Sequence, residues 1–325
     1  MPSPMDRRSF MKDSLLLPAG AALAGQLAAG KTEAGAADKP AAPAETMPCG
    51  KIDQLQVSRL LLGGNLLTHY THSRDLKYVY RLTAQYNTEE KILETLAVAE
   101  RHGVNTLVIH TVPAAMKTLV KHREQCGGKM QWIICPTAEI DDSLKAYTRH
   151  VRQIVDEMGT DAVYLWGVRS DQLIAKGRVD LIAKAVEAAL VAGVPSGVGA
   201  HDLRVIQACE KAKVPADFYI KTFHHHRYPT GPKPDQLKSV YSEIPGYWCK
   251  DPKATIDVMK PVTKPWIAFK VMAAGAIPPK DAFAYAFNNG ADHVLAGMFD
   301  FEIAEDAAIA RKALAAAKRD RPWRS

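Results

Sequence analysis

Seven polar side chains stand at or just beyond the points where short apolar runs of the chain end. They are Asn65, His110, Glu139, His201, Lys221, His225 and Lys270. Burying polar and charged groups without partners is costly, so several of them in equivalent positions need a functional reason. Imidazole and carboxylate groups bind divalent metal ions, and a lysine can act as a base or a nucleophile. These residue types therefore predict a site that uses a metal ion or an activated lysine.

A metal site is the first interpretation. His201 and His225 would supply imidazole ligands, with Glu139 or His110 as a third ligand and His224 as a substitute. Zinc, manganese or iron suits such donors. The ion would polarise a carbonyl or hydroxyl group while a lysine removes a proton. This chemistry is typical of isomerases, epimerases and lyases that act on small polyhydroxylated or carbonyl substrates such as sugars. A solvated loop start is the alternative explanation of the three consecutive histidines.

Lysine chemistry is the second interpretation. Lys221 and Lys270 are predicted on adjacent strands. Burial and a neighbouring like charge both lower the pKa of a lysine, which favours Schiff-base formation or general-base catalysis. His110 and Asn65 complete the candidate catalytic set. Binding of an anion, such as a carboxylate or a phosphate, is the alternative role for the two lysines.

Strands and helices are predicted to alternate from residue 52 to the end of the chain. Short apolar runs predict strands at 59–64, 105–110, 130–135, 161–166, 195–200, 217–222, 265–271 and 293–297. Amphipathic segments predict helices at 89–102, 144–158, 180–192, 203–213, 252–259 and 279–289. Eight such units fit a single α/β domain, a (β/α)8 barrel of the TIM type, whose chemistry lies at the carboxyl ends of the strands. A doubly wound sheet is the alternative, but no G-x-G-x-x-G loop follows the first strand.

Alternation along each strand predicts which side chains face the barrel interior. Bulky apolar residues are assigned to the helix-facing side, and the other parity is left for the interior. The side chains directed inward include His110, Trp166, Lys221 and Lys270. Ile267 and Phe269 are assigned to the helix-facing side by the same test.

Two long connections frame the predicted site. Residues 65–87 and 224–251 both leave carboxyl strand ends and are rich in aromatic residues. Loops of this length in a compact domain are usually functional, and aromatic rings stack well on sugar rings. The expected substrate contacts are His69, Trp166, Tyr228 and Trp248. The two connections could close as a lid, or form the interface of a homo-oligomer.

The first 36 residues resemble a twin-arginine signal peptide. Arg7 and Arg8 precede an apolar run at 15–29, and small residues follow at 34–36. The run is too short and too rich in glycine for a stable membrane span. The resemblance implies translocation by the twin-arginine machinery to a periplasmic or extracellular location, without a stable membrane anchor. Residues 37–51 are rich in Ala and Pro and predict a flexible linker, so the barrel is expected at 52–325.

The overall composition excludes several classes of protein. The chain has 325 residues, of which 47% are hydrophobic and 24% charged, with a net charge of +7. These values exclude a disordered chain and a collagen-like fibre. Basic residues are scattered, so nucleic acid is not an expected partner, whereas a small-molecule substrate is. The five cysteines have irregular spacing and do not suggest a disulfide framework.

Several stretches of the chain resemble the aldo/keto reductase barrel family. They lie at 57–65, 99–106, 160–165 and 297–306, in the order of that family. The resemblance implies a (β/α)8 barrel and, in ordinary members of the family, carbonyl reduction with NAD(P). The family's catalytic Asp, Tyr, Lys and His are absent at the matching positions, which hold His110, Ala115, Cys135 and Trp166.

The chain is more similar to an exported, divergent branch of these barrels. The residues that mark the branch are His69, His72, Lys221–His225, Phe269-Lys270 and Gly297–Asp300. An isomerase or lyase is therefore expected rather than a reductase, and a divalent metal rather than NAD(P). One alternative is an NAD(P)-linked oxidoreductase with a replaced tetrad, in which His110 is the acid. The other is a non-catalytic exported protein that binds a small ligand.

Overall fold

A computed structural model describes residues 46–73, 76–237 and 248–325. The expected signal peptide and most of the expected linker lie outside these residues. Within them, no helix combines the length and the apolar character that crossing a membrane requires. All five cysteines fall in the described part of the chain, and each is a free thiol.

The fold begins with a two-stranded antiparallel hairpin, formed by β1 (Cys49–Ile52) and β2 (Leu55–Ser58). Ile52 and Val57 of the hairpin belong to the same buried apolar cluster as Leu61 and Ile133, which line the barrel interior. Burying these side chains stabilises the hairpin against the barrel. In the described residues, regular secondary structure therefore begins at Cys49, inside the stretch expected to be a linker.

Eight parallel strands follow and close into a barrel, as the sequence predicted. Their bounds are β3 (Leu60–Gly63), β4 (Thr106–His110), β5 (Gln131–Cys135), β6 (Ala162–Leu165), β7 (Ser196–Ala200), β8 (Phe218–Thr222), β9 (Trp266–Phe269) and β10 (His293–Ala296). β10 pairs with β3 through Val294–Leu60 and Leu295–Leu61, which closes the ring. Each strand lies within the stretch predicted for it.

Helices lie between the strands on the outside of the barrel. In the described residues they are α1 (Tyr78–Tyr86), α2 (Glu89–Arg101), α3 (Pro113–Gln125), α4 (Lys145–Asp156), α5 (Gly167–Ala175), α6 (Val179–Val191), α7 (Leu203–Lys211), α8 (Pro252–Met259), α9 (Pro279–Asn288) and α10 (Asp300–Ala315). The sequence analysis did not predict α1, α3, α5 or α10, nor the β1–β2 hairpin.

The helix α2 shows why these segments fold as they do. Ile92, Leu96 and Ala99 recur at helical spacing and are buried on one face. The hydroxyl of Thr88 accepts a hydrogen bond from the Lys91 amide and begins the helix. Gly103 follows the helix at φ 79°, a conformation that a side chain disfavours.

The strand faces are as predicted in β4, where Leu107 and Ile109 face the helices and Val108 the interior. Two strands have the opposite parity from the one predicted. In β8, Ile220 faces the interior, so the backbone directs Lys221 to the other side of the sheet.

In β9, Ile267 belongs to the interior cluster and Phe269 packs against it, whereas both were predicted to face the helices. The error has a physical cause. The interior of an eight-stranded barrel is itself packed with large apolar side chains, so bulk alone does not identify the helix-facing side.

The C-terminal tail is anchored to the barrel by one buried carboxylate. Asp292 is fully buried just before β10, and its Oδ2 accepts hydrogen bonds from Arg321 Nη1 at 2.6 Å and from the Trp266 amide at 2.9 Å. Its Oδ1 accepts from Arg319 at 3.2 Å and from the Arg324 amide at 2.9 Å. Buried charges need such partners, and here they connect the tail to β9 and β10.

Candidate active site

A cavity of about 440 Å³ lies at the carboxyl ends of β3, β4, β9 and β10. Its inner part is lined by Asn65, His110, Tyr164, Phe269 and Lys270. Tyr70, His72 and Trp248, from the long connections after β3 and β8, also line it. The cavity then continues between the segments that follow β9 and β10. This is the end of a (β/α)8 barrel where active sites are found.

Lys270 reaches this cavity through an unusual backbone conformation. It follows the last residue of β9 with φ 56°, in the left-handed region that residues with a side chain rarely adopt. Its ammonium nitrogen lies 4.6 Å from the centre of the Trp248 ring and 5.6 Å from that of Phe269. Strained backbone of this kind is found preferentially at functional sites. The predicted inward direction of Lys270 thus depends on this turn and not on strand parity.

Aromatic rings connect the histidines at the mouth of the barrel. The His72 ring lies 5.2 Å from Trp248 and 5.3 Å from Tyr70, and Tyr70 lies 6.0 Å from His110. Burial, and then the charges of Lys270 and His201, lower the pKa of His72 to about 3. Burial also lowers the pKa of His110. The lowered pKa values favour the neutral form of both imidazoles, in which one ring nitrogen is a hydrogen-bond acceptor.

His201 is held by a buried carboxylate. Its Nδ1 lies 2.8 Å from Asp171 Oδ2, while Asp171 Oδ1 accepts hydrogen bonds from the amides of His201 and Asp202. Because a carboxylate only accepts, Nδ1 carries the proton and Nε2 is left as an acceptor. Burial and the Lys270 charge lower the pKa of His201 to about 4, against the opposing effect of Asp171. The His201 ring contacts Phe269 at 5.5 Å, directly behind the cavity wall.

The structure does not bring the four predicted metal ligands together. Glu139 is exposed and pairs with Arg169, and His225 packs against Tyr285 at 5.0 Å. The Nε2 atom of His224 accepts the amide hydrogens of Trp248 at 3.0 Å and of Cys249 at 3.2 Å, so it anchors the connection after β8. His201 bonds to Asp171. No group of three or more His, Cys, Asp or Glu in the described residues is placed to hold a metal ion.

Lys221 lies outside the cavity. It is buried, and its ammonium group donates hydrogen bonds to the carbonyl and the hydroxyl oxygen of Thr222, both at 2.9 Å. The Thr222 hydroxyl in turn donates to the Trp248 carbonyl at 2.9 Å. Burial lowers the pKa of Lys221. These bonds place Lys221 among the groups that hold Trp248, which itself faces the cavity.

The other predicted site residues are distributed around the mouth. Asn65 lines the cavity, whereas the exposed His69 lies 2.8 Å through Nε2 from the Asn87 carbonyl oxygen. Trp166 precedes α5, and the Arg169 guanidinium lies 6.0 Å from its ring. Tyr228 packs beside His224 and His225. Of the four predicted substrate contacts, only Trp248 lines the cavity.

Residues that the predicted site did not include complete it. Asp171, on α5, is 30 positions away from His201, and no sequence pattern connects them. Tyr70 and His72 stand in an aromatic run after the first barrel strand, and the density of Tyr and His there is a usable signal. Asp306 and Glu302 line the outer part of the cavity from α10. Burial and the neighbouring Glu302 and Glu305 raise the pKa of Asp306 to about 7.

No protein-family profile matches the sequence, and no curated protein matches it. Solved structures match its fold. A proposed aldo-keto reductase from Pseudomonas aeruginosa has a TM-score of 0.52 and 18% identity, over 82% of this chain and 94% of that one. The holo form of aldo-keto reductase AKR11C1 from Bacillus halodurans has a TM-score of 0.53 and 11% identity, over 86% and 100%.

A different enzyme matches as well. A truncated 3-deoxy-D-arabino-heptulosonate 7-phosphate synthase from Thermotoga maritima has a TM-score of 0.51 and 11% identity, over 85% of this chain and 96% of that one. At these identities the matches establish the fold alone. The chain has the (β/α)8 barrel that aldo-keto reductases share with other TIM-barrel enzymes, and its chemistry must be argued from its own site.

The residues of this cavity do not fit the phosphate of NADP. An anionic group near the last helix needs basic partners, as phosphate recognition generally does. The outer part of the cavity carries Glu302 and Asp306 there, and Lys270 is the only lysine or arginine among the described residues that line the cavity. The described lining of the cavity therefore does not support a phosphate-bearing nicotinamide cofactor.

Proposed function

We propose that this barrel is an enzyme that moves a proton on a small polyhydroxylated carbonyl compound, as isomerases, epimerases and some lyases do. The observation that supports this best is that one cavity holds both a cation, which can stabilise negative charge, and neutral imidazoles, which can transfer a proton. Lys270 supplies a cation, and His110 and His72 supply neutral imidazoles, at the strand ends where barrel enzymes carry out chemistry.

Lys270 has the electrostatic role. When a proton leaves the carbon beside a carbonyl group, negative charge develops on the carbonyl oxygen, and a preplaced cation stabilises it. The rings of Trp248 and Phe269 stabilise the ammonium form of Lys270 by cation–π contact. A Schiff base requires the free amine, so this environment favours charge stabilisation over covalent catalysis.

His110 has the proton-transfer role. Its imidazole lines the cavity at the end of β4, and burial favours its neutral form, in which one ring nitrogen can take the proton from the substrate carbon. The electron pair of the broken C–H bond then forms the enolate, which Lys270 stabilises. Return of the proton to the former carbonyl carbon, while the hydroxyl proton on the adjacent carbon's oxygen passes to the enolate oxygen, gives an isomer. Return of the proton to the other face of the same carbon gives an epimer.

His201 and Asp171 have a positioning role. Asp171 fixes the ring of His201 in one tautomer, and the ring packs against Phe269 in the cavity wall. Because the four predicted metal ligands lie apart, the proposal needs no metal-bound intermediate. A non-catalytic binding protein would use the same cavity but would not exchange substrate protons.

The test is proton exchange with solvent. We would incubate the protein in D₂O with D-fructose, D-tagatose, L-sorbose and D-glucuronate, and follow loss of the proton signals beside the carbonyl group by NMR. Exchange reports enolate formation even where net conversion is small. Lys270→Met and His110→Asn should each slow exchange by about 100-fold or more.

Lys253→Met is the matched control, because this lysine is 84% exposed on α8 and should leave exchange unchanged. Retained exchange in Lys270→Met at the wild-type melting temperature would refute the assignment. Saturable binding of one of these sugars without any exchange would instead support the binding protein.

We also propose that the protein is exported through the twin-arginine pathway to the periplasm or the exterior. The arginine pair and the apolar run of residues 1–36 support this. The partners implied are the translocation machinery and a small-molecule substrate. The exposed large hydrophobic side chains of Tyr78, Leu82 and Phe301 are compatible with a homo-oligomer, which light scattering would test.

A further inference from the structure

The outer part of the cavity contains a carboxylate in an unfavourable position. Asp306 is 5% exposed and lines the cavity from the second turn of α10. Among the described residues, none forms a hydrogen bond or an ion pair with its carboxylate. Buried polar groups in proteins nearly always have partners, so an exception that faces a cavity requires an explanation.

The neighbouring negative charges make the ionised form of Asp306 still less favourable. Glu302 lies one turn before Asp306 on α10 and lines the same part of the cavity, and like charges at this spacing repel. Glu302 has a structural role, since its Oε2 accepts the Phe299 amide at 2.9 Å. Asp306 has no such role. The helix dipole favours negative charge only in the first turn of a helix, and Asp306 lies beyond that turn.

The inner end of the same cavity has the opposite charge. Lys270 lines the cavity there, and Met272 and Ile277 add apolar side chains to its lining. Phe299, one turn before Glu302 in the chain, adds an aromatic side chain to the lining. The cavity therefore has a positive inner end and a negative outer end.

We propose that the outer end of the cavity binds an ammonium group of the ligand, through Asp306 with Glu302, so that the ligand is an amino-substituted polyol or carbonyl compound. This proposal rests on the proposed function only for the chemistry at the end of the cavity that Lys270 lines. A primary amine supplies both the charge and the hydrogen-bond donors that Asp306 lacks, and aromatic rings favour cations. A hydroxyl group would supply a donor without relieving the repulsion.

A divalent metal ion fits less well. Hard cations such as Ca²⁺ and Mg²⁺ require about six oxygen ligands, and among the residues that the structure describes only Glu302 and Asp306 bring carboxylates to the cavity lining. No cluster of three or more potential ligands occurs in the described residues.

The test compares two probes that differ only at one carbon: 1-amino-1-deoxy-D-glucitol and D-glucitol. Titration calorimetry at pH 8, above the pKa of about 7 of Asp306, should show the amine bound at least about tenfold more tightly. Asp306→Asn, which keeps the shape and removes the charge, should abolish that preference while leaving D-glucitol binding unchanged. The matched control is Glu187→Gln, an exposed glutamate on α6 outside the cavity lining, which should keep the preference.

The preference should also fall between pH 8 and pH 6, because Asp306 takes up a proton near pH 7 whereas the amine stays protonated. Equal binding of the two probes, binding of neither, or an unchanged preference in Asp306→Asn would overturn the proposal. The two proposals fail separately. Proton exchange without an amine preference would refute only the ammonium site, and an amine preference without proton exchange would refute only the catalytic assignment.

Discussion

The ammonium nitrogen of Lys270 lies 4.6 Å from the centre of the Trp248 ring, so a residue after β9 is held by one from the connection after β8. Trp248 is in turn held by hydrogen bonds to His224 and Thr222. The buried groups around it thus position the cation of the cavity. This role differs from the metal binding and lysine catalysis that the sequence suggested for His224 and Lys221.

Trp248→Leu tests this arrangement. Removing the ring takes away the cation–π contact, which is worth about 0.5–2 kcal/mol, so proton exchange should slow by roughly tenfold. Trp248→Phe keeps an aromatic face and should recover most of that loss. The effect should fall on kcat rather than KM. Equal slowing in the two variants, or none in either, would show that the ring does not position Lys270.

The tautomer of His201 can be observed directly. We expect ¹⁵N chemical shifts of a neutral ring protonated at Nδ1, persisting until the pH falls to about 4, since burial and Lys270 lower the pKa of this ring. Asp171→Asn can donate to the ring and should shift the population toward the Nε2-protonated form. The variant should also slow proton exchange. A ring protonated at Nε2 in the unmodified protein would contradict the hydrogen bond to Asp171.

The buried histidines should make the protein sensitive to acid. The pKa values of His72 and His224 are lowered to about 3 and that of His201 to about 4, from an ordinary value of 6.5. A group whose folded pKa is depressed contributes stability above the unfolded pKa, and this stability is lost as the pH falls toward the folded value. Each histidine should lower the free energy of unfolding by up to about 1.4 kcal/mol for each pH unit below pH 6.5.

Urea unfolding at pH 7 and pH 5 measures this loss. The raised pKa of Asp306 acts in the opposite direction, because its stability contribution is lost as the pH rises from about 4 through about 7. The decrease in the free energy of unfolding between pH 7 and pH 5 should therefore be larger in Asp306→Asn than in the unmodified chain. A free energy of unfolding that is equal at the two pH values in both proteins would show that these rings titrate normally.

Asp292 should be the most sensitive carboxylate for stability. Asp292→Ala leaves the buried Arg319 and Arg321 guanidinium groups without their counterion, so we expect a loss of about 3–5 kcal/mol in the free energy of unfolding. Asp320→Ala is the control, because Asp320 is 91% exposed and pairs with Lys260 only at 3.6 Å. That change should cost less than about 0.5 kcal/mol. Similar losses in the two variants would contradict the role of the tail as an anchor.

Export can be tested without the structure. Replacing both Arg7 and Arg8 by lysine should leave the precursor in the cytoplasm of a twin-arginine-competent host. Immunoblots of periplasmic and cytoplasmic fractions give the answer, with Lys31→Arg as a control that keeps the arginine pair. Normal export of the double variant would refute export through the twin-arginine pathway.

The sequence indicated the alternation of strands and helices, because hydrophobic periodicity is local. The predicted strands contain the observed ones, and helix bounds such as those of α8 agree to the residue. The hydrophobic pattern did not predict four of the helices or the hairpin. The hairpin at 49–58 follows an Ala/Pro-rich stretch, and the regular strand–helix spacing starts only after it.

The sequence by itself determined that this chain forms a (β/α)8 barrel with polar groups at the carboxyl strand ends, because each of those features is encoded within a few neighbouring residues. Only the tertiary structure decided which of them meet. Lys270 enters the cavity by a left-handed turn, Asp171 meets His201 across 30 positions, and Lys221 faces away from the interior. These outcomes depend on barrel closure and on the path of the long connections, which local periodicity does not encode.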